Sequence, residues 1–298
     1  MGGVDQNPGL GRVPHEEDDE RSPLHCLPAR SAAIEFRLRM KRWHGVLALL
    51  GTAGCVALLA GCAPMRPPKV PMDSFLHKSP CTADASTLLV LLPGAYSEPG
   101  EFVREGFVAA VEERRLAVDV LRVDAQLAYY TQGMAIVQRL HEDVVAPAHA
   151  RGYTSVWIAG ISAGGLGAMA YAIDHPGELA GIVALAPYLG ERATSLDIAH
   201  AGGLLRWHAP TAELPGDRDE LRVWGWLQRY GTEPGAADLP PLFLGFARDD
   251  RFAFSHELLA AVLPAERVFT TDGGHDWPEW RRLWLRSLPV LPLPHCPS

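Results

Sequence analysis

The chain has 298 residues, with 27 Lys and Arg against 35 Asp and Glu and a formal net charge of −8. Residues 1–61 hold seven basic and seven acidic side chains, so the whole negative excess belongs to 62–298. No basic stripe occurs there, which argues against nucleic acid as a partner and leaves little electrostatic attraction to anionic lipid.

Residues 1–39 are rich in Pro, Arg and acid, including the run Glu16-Glu17-Asp18-Asp19-Glu20, and have no apolar period. They are expected to be disordered, or to precede a true start at Met40. A secretory signal follows at 40–61: the basic start Met40-Lys41-Arg42, an uncharged stretch at 45–60, then small residues. Those 16 uncharged residues fall short of the roughly 20 that span a bilayer as a helix. The run ends in Leu59-Ala60-Gly61-Cys62, which resembles the lipobox of bacterial lipoproteins. The resemblance implies lipidation of Cys62, a mature chain 62–298, and a lipid-anchored, extracytoplasmic place in a bacterial cell envelope. Several acyl chains would hold far more firmly than one, since each buried CH₂ contributes roughly 0.8 kcal/mol. A plain cleaved signal or a single-span anchor is the alternative.

Residues 62–80 carry Pro67, Pro68 and Pro71 and are expected to be an extended tether. Residues 81–298 form one domain of comfortable size for a single core. Cys81 and Cys296 are the cysteines left after the signal and the lipidated position, one near each end of this domain. In an oxidising compartment they are expected to pair, because chain ends often lie close together. No Cys-x-x-Cys or His-Glu-x-x-His occurs, so motif spacing supports neither a metal site nor a cofactor.

From 87 onward apolar strands alternate with helical patterns. Strands are expected at 87–92, 118–123, 155–159, 181–186, 241–247 and 267–270. Helices are expected at 101–116, 132–148, after the turn at 160–164, at 255–262 and at 278–288. Uninterrupted Val, Ile and Leu in the strands indicate burial on both faces. The fold class is therefore α/β, a mostly parallel sheet flanked by helices. Residues 189–240 break the rhythm and read as a small cap with one helix near 218–230.

Gly160-Ile161-Ser162-Ala163-Gly164 sits where a strand turns sharply into a helix. A serine at such an apex is held in a strained conformation with its hydroxyl exposed, and the helix start favours a nearby oxyanion. A bland alternative is a tight turn with a capping serine. A serine needs a base, and the base needs an orienting acid. Two loops beyond later strands supply both, Arg248-Asp249-Asp250-Arg251-Phe252 and Thr271-Asp272-Gly273-Gly274-His275-Asp276-Trp277.

With these residues the chain resembles the α/β-hydrolase fold from about Thr87 to its end. The resemblance implies a Ser-Asp-His triad with Ser162 as nucleophile, His275 as base and, from its place before a hydrophobic position, Asp250 as acid. Asp249 remains the rival, and Asp272 and Asp276 are weaker ones. The oxyanion donors would be the N–H groups of Ala163 and Ala95, with Tyr96 as the alternative to Ala95. Pro93-Gly94 stands where the family often has His-Gly. Tyr96, Trp207 and Trp224 are candidate substrate contacts, with Trp226 beside them, although the cap tryptophans equally suit burial of the cap on the sheet. The remaining histidines are expected at the surface, with His200 or His208 able to reach substrate. Gly165-x-Gly167-x-x-Ala170 mimics a dinucleotide fingerprint but begins inside a helix, so it carries none. These features together point to a lipid-anchored serine esterase acting on a small ester or thioester without a cofactor. Amidase, thioesterase or acyltransferase activity would use the same residues. A polymer depolymerase would differ in having an open cleft, and the rival from another class is a non-catalytic envelope lipoprotein acting as a binding module.

Overall fold

Among the described residues, the six strands that sequence patterning marks assemble with one further edge strand into a seven-stranded sheet. The structure is a computed structural model, described for residues 66–131, 135–209, 219–232 and 238–297. The expected signal at 40–61, the segment 1–39 and Cys62 lie outside the described residues. The strands are β1 (Ser74–His77), β2 (Thr87–Leu92), β3 (Val118–Val123), β4 (Ser155–Ile161), β5 (Gly181–Leu185), β6 (Leu242–Ala247) and β7 (Val268–Thr271). Their order is β1-β3-β2-β4-β5-β6-β7. β1 runs antiparallel to β3 and every other pair is parallel.

Period-two alternation along these strands sorts side chains onto two faces. Leu88, Val90, Leu92, Ile158, Ile182 and Leu244 join one apolar cluster, and Leu89, Leu91, Ala159, Ile161, Val183 and Phe243 join the other. The second face is covered by α1 (Glu101–Arg104), α2 (Phe107–Glu113) and the C-terminal helix Trp277–Ser287. Between them in the chain come α3 (Ala128–Thr131), α4 (Ala135–Arg139), a π-helical turn (Leu140–Val145) and α5 (Ala146–Ala150). These last three segments cover the first face together with α6 (Ala163–Asp174), α8 (Asp219–Gln228) and α9 (Ala253–Ala260). α7 (Arg192–His200) lies in the cap region, and the C-terminal helix is α10.

Several expectations change in detail. The helix expected at 101–116 is broken at Gly106, whose φ of 77° lies in the left-handed region that glycine tolerates without a Cβ clash. The tether expected at 62–80 contains β1. Before β1, the Arg66 guanidinium pairs with Asp124 at 3.0 Å, and the Lys69 N–H donates to the Tyr129 hydroxyl at 2.8 Å. The cap holds α7 as well as α8. Trp207 and Trp224 are corrected as substrate contacts. They are buried in the core, and the Trp224 indole N–H donates to the Leu189 carbonyl at 2.8 Å. Trp226 is buried as well. In α10, Trp280 and Trp284 are core residues. Cys81 and Cys296 form a disulfide that joins the two ends of the domain. Among the described residues no helix is long and apolar enough to cross a membrane.

Candidate active site

β4 ends at Ile161 and α6 begins at Ala163, so Ser162 alone makes the turn, with φ 52° and ψ −115°. A positive φ in a non-glycine residue costs about 1–3 kcal/mol and persists only where its surroundings fix it. Here the Ser162 N–H donates to the Leu185 carbonyl at 3.0 Å, and the Ser162 carbonyl accepts from Gly165, Leu166 and Tyr188 N–H at 3.0, 3.3 and 2.9 Å. Two glycines are required by close approach. A Cβ on Gly160 would lie 2.3 Å from the Gly164 backbone, and one on Gly164 would lie 2.4 Å from the Leu92 carbonyl oxygen.

The same approach sets the loop after β2 against the serine. A Cβ on Gly94 would meet the Ser162 Cβ at 3.6 Å. The loop is fixed by the Ser97 N–H donating to the Gly94 carbonyl and the Leu127 N–H donating to the Ala95 carbonyl, at 3.0 and 3.2 Å. Ala163, as the first residue of α6, carries an N–H that the helix leaves without an intrahelical acceptor. Tyr96 stands beside this loop, 89% exposed.

The loops after β6 and β7 are pinned together by the Arg248 N–H donating to the Thr271 carbonyl and the Asp249 N–H donating to the Gly273 carbonyl, at 2.9 and 3.0 Å. This brings Asp250 and His275 into line with Ser162. Asp250 Oδ2 lies 2.7 Å from His275 Nδ1, and His275 Nε2 lies 3.0 Å from Ser162 Oγ. With Asp250 ionised, Nδ1 carries the proton and donates, leaving Nε2 to accept from the serine hydroxyl. Burial acts to raise the Asp250 pKa. Hydrogen bonds from His275 and the Phe252 N–H outweigh it and hold the carboxyl below its ordinary value. The rings of Phe252 and Trp280 meet His275 edge-on, each at 5.1 Å, and fix the imidazole plane.

The rival acids fall elsewhere. Asp249 is exposed and accepts from the Gly273 N–H at 3.4 Å. Arg248 pairs with Asp272. Asp276 caps α10, accepting from the Glu279 N–H at 3.3 Å. Sequence reasoning missed His256, expected at the surface. It is fully buried in α9, where its Nε2–H donates to the Pro187 carbonyl at 2.8 Å, fixing the chain one residue before Tyr188. Burial pushes its pKa down to about 4, so the ring is neutral. A cavity of about 270 Å³, lined by Tyr188, Arg192, Arg251, Phe252 and Phe254 among others, shares Phe252 with the ring contact to His275.

The Est1E structure from Butyrivibrio proteoclasticus matches at 16% identity, covering 76% of this chain and 93% of that one, with a TM-score of 0.51. A monoacylglycerol lipase from Paleococcus ferrophilus matches at 17% identity over 73% of this chain and 96% of that one, TM-score 0.46. The S-formylglutathione hydrolase FrmB of Staphylococcus aureus matches at 16% identity over 77% and 99%, TM-score 0.46. At such identities Est1E is similar in fold alone. No curated protein matches the chain in sequence. The Esterase family, described as "Putative esterase", matches residues 137–289, from α4 to the end of α10 and just over half of the chain. The chain therefore belongs to the Esterase family, and with its mostly parallel sheet it is an esterase-like α/β hydrolase.

Proposed function

We propose that the protein is a lipid-anchored serine hydrolase that cleaves a carboxylic ester or thioester through an acyl-enzyme on Ser162. The observation that carries this reading is the unbroken hydrogen-bond chain from Ser162 Oγ through His275 to Asp250, at 3.0 and 2.7 Å. In the first step His275 Nε2 takes the hydroxyl proton as Oγ attacks the carbonyl carbon. The tetrahedral oxyanion is met by the N–H groups of Ala163 and Ala95, which are preorganised and so cost no reorganisation. His275 then protonates the leaving alcohol or thiol as the carbonyl re-forms. Water, deprotonated by the same imidazole, attacks the acyl-enzyme and releases the acid. Asp250 keeps the imidazole in its productive tautomer and stabilises the cation that forms in each half-reaction. Exposed Tyr96 beside the oxyanion loop is the candidate substrate contact.

The anchor rests on the sequence Leu59-Ala60-Gly61-Cys62, and an extracytoplasmic location agrees with the Cys81–Cys296 disulfide. Turnover of p-nitrophenyl esters across a range of acyl lengths, in wild type and Ser162→Ala, tests the chemistry. Turnover of every ester by Ser162→Ala at the wild-type rate would end the acyl-enzyme reading. Mass spectrometry of the mature amino terminus tests the anchor: an unmodified Cys62, or a retained 1–61, would remove it.

A further inference from the structure

Far from Ser162, at the other end of α6, three side chains that could ligate a metal converge. His141 comes from the π-helical turn, His175 is the C-cap of α6, and Glu178 lies in the loop leading to β5. His141 Nδ1 lies 3.4 Å from Glu178 Oε2, and His175 Nδ1 lies 3.7 Å from Glu178 Oε1. One possible ligand atom from each residue lies within 4.8 Å of the other two. The two imidazoles stack with centroids 4.2 Å apart, and the Tyr171 hydroxyl donates to Glu178. All three side chains are partly exposed, and among the described residues Glu178 has ion-pair contacts only with these histidines. Its neighbour Asp174 is taken by Arg222.

We propose that His141, His175 and Glu178 form a binding site for one Zn²⁺ ion. Two imidazoles and a carboxylate are a donor set suited to borderline zinc rather than to calcium or magnesium, which favour oxygen. Zinc bonds of roughly 2.0–2.2 Å set tetrahedral donor–donor separations near 3.3–3.5 Å. The His141 Nδ1–Glu178 Oε2 separation of 3.4 Å already matches that value, whereas His175 Nδ1 faces the other carboxylate oxygen, Oε1, at 3.7 Å and must turn with its ring to join the set. Partial exposure gives the stacked rings room to turn until their nitrogens converge on one point. Tyr171 then serves as the outer hydrogen-bond partner that orients a ligating carboxylate. The C-terminus of α6 contributes the negative end of a helix dipole, which favours a cation. Three protein ligands leave a fourth position for water.

The bound ion would staple the π-helical turn to the end of α6 and the loop into β5. α6 has 12 residues and so spans about 18 Å, which keeps the ion away from the ester-cleaving centre. Motif spacing gives no sign of the site because one ligand comes from a separate helical segment, 34 positions before His175.

Titration calorimetry of the full chain, stripped with EDTA and titrated with ZnCl₂ at pH 7.5, tests the proposal, with thermal unfolding as a second readout. One equivalent should bind with a micromolar or tighter dissociation constant and raise the Tm. His141→Ala, His175→Gln and Glu178→Gln should each weaken binding at least tenfold while retaining the wild-type circular dichroism. His275→Ala should bind zinc like wild type, which separates this site from the ester-cleaving histidine. No binding at 100 µM zinc, or unchanged affinity in the folded His175→Gln and Glu178→Gln variants, would overturn the proposal and leave the esterase reading untouched.

Discussion

Gly164→Ala tests whether the serine turn and the loop after β2 must touch for the chemistry to run. An alanine Cβ would sit 2.4 Å from the Leu92 carbonyl oxygen and 2.8 Å from the Pro93 carbonyl oxygen. Both are backbone atoms, so relief to ordinary contact near 3.4 Å requires the two segments to part by about 1 Å. Overpacking of this kind costs about 1–3 kcal/mol of stability. A displacement of about 1 Å at a reacting centre costs about 100-fold in rate. The same movement pulls the Ala95 N–H away from the oxyanion position while Ser162, His275 and Asp250 remain in the sequence. Gly225→Ala is the matched control: Gly225 lies in α8, and its added Cβ would meet nothing within 4 Å. Helix propensity then predicts a gain of up to about 1 kcal/mol. Steady-state kcat/KM on a p-nitrophenyl ester, with urea unfolding on the same preparations, measures both effects. A folded Gly164→Ala enzyme with wild-type kcat/KM would refute the reasoning.

Asp250→Asn keeps the shape of the acid but loses its charge and its hold on the tautomer; kcat should fall about 10³–10⁴-fold, whereas Asp249→Asn should stay within a few-fold of wild type. Equal losses in both variants would show that the acid was misassigned. The Cys81–Cys296 bond closes a loop of 215 residues, for which chain entropy sets a ceiling of about 5 kcal/mol, with about 2–4 kcal/mol typical of measured disulfides. The double serine variant should therefore unfold at clearly lower urea than the oxidised protein, and coincident urea curves would contradict this. His256 is held neutral by burial with a pKa of about 4, below its unfolded value near 6.5. Between these values the unfolded chain binds the extra proton, so stability rises with pH through the window. The contribution is complete above about pH 6.5 and decreases by about 3 kcal/mol as the pH falls to 4. Urea unfolding from pH 4 to 7 should give a shallower pH dependence for His256→Gln than for wild type, and parallel curves would remove His256 as the cause.

The parallel strands were legible because burial on both faces leaves continuous apolar runs, as in β2, where all six residues are buried. The Ser–Asp–His order was legible because each member follows a strand end. β1 left no such trace. Phe75 and Leu76 are exposed on this edge strand, and backbone pairing to β3 creates it. α7 escaped for a related reason. Its buried residues include Thr194 and Ser195, and Ser195 Oγ hydrogen-bonds Ser255 Oγ at 2.8 Å, so polar groups stand where an apolar period would be sought. His256 and Trp224 show the limit of residue type as a guide. Each is polar enough to suggest a surface or a ligand, yet each spends its N–H on a backbone carbonyl inside the core.

The most direct measurement is the intact mass of the protein after exposure to a fluorophosphonate, followed by peptide mapping. One adduct, on Ser162, absent from Ser162→Ala and strongly slowed in His275→Ala, is the predicted result. A folded wild type that acquires no adduct, or acquires it at another residue, would contradict the account.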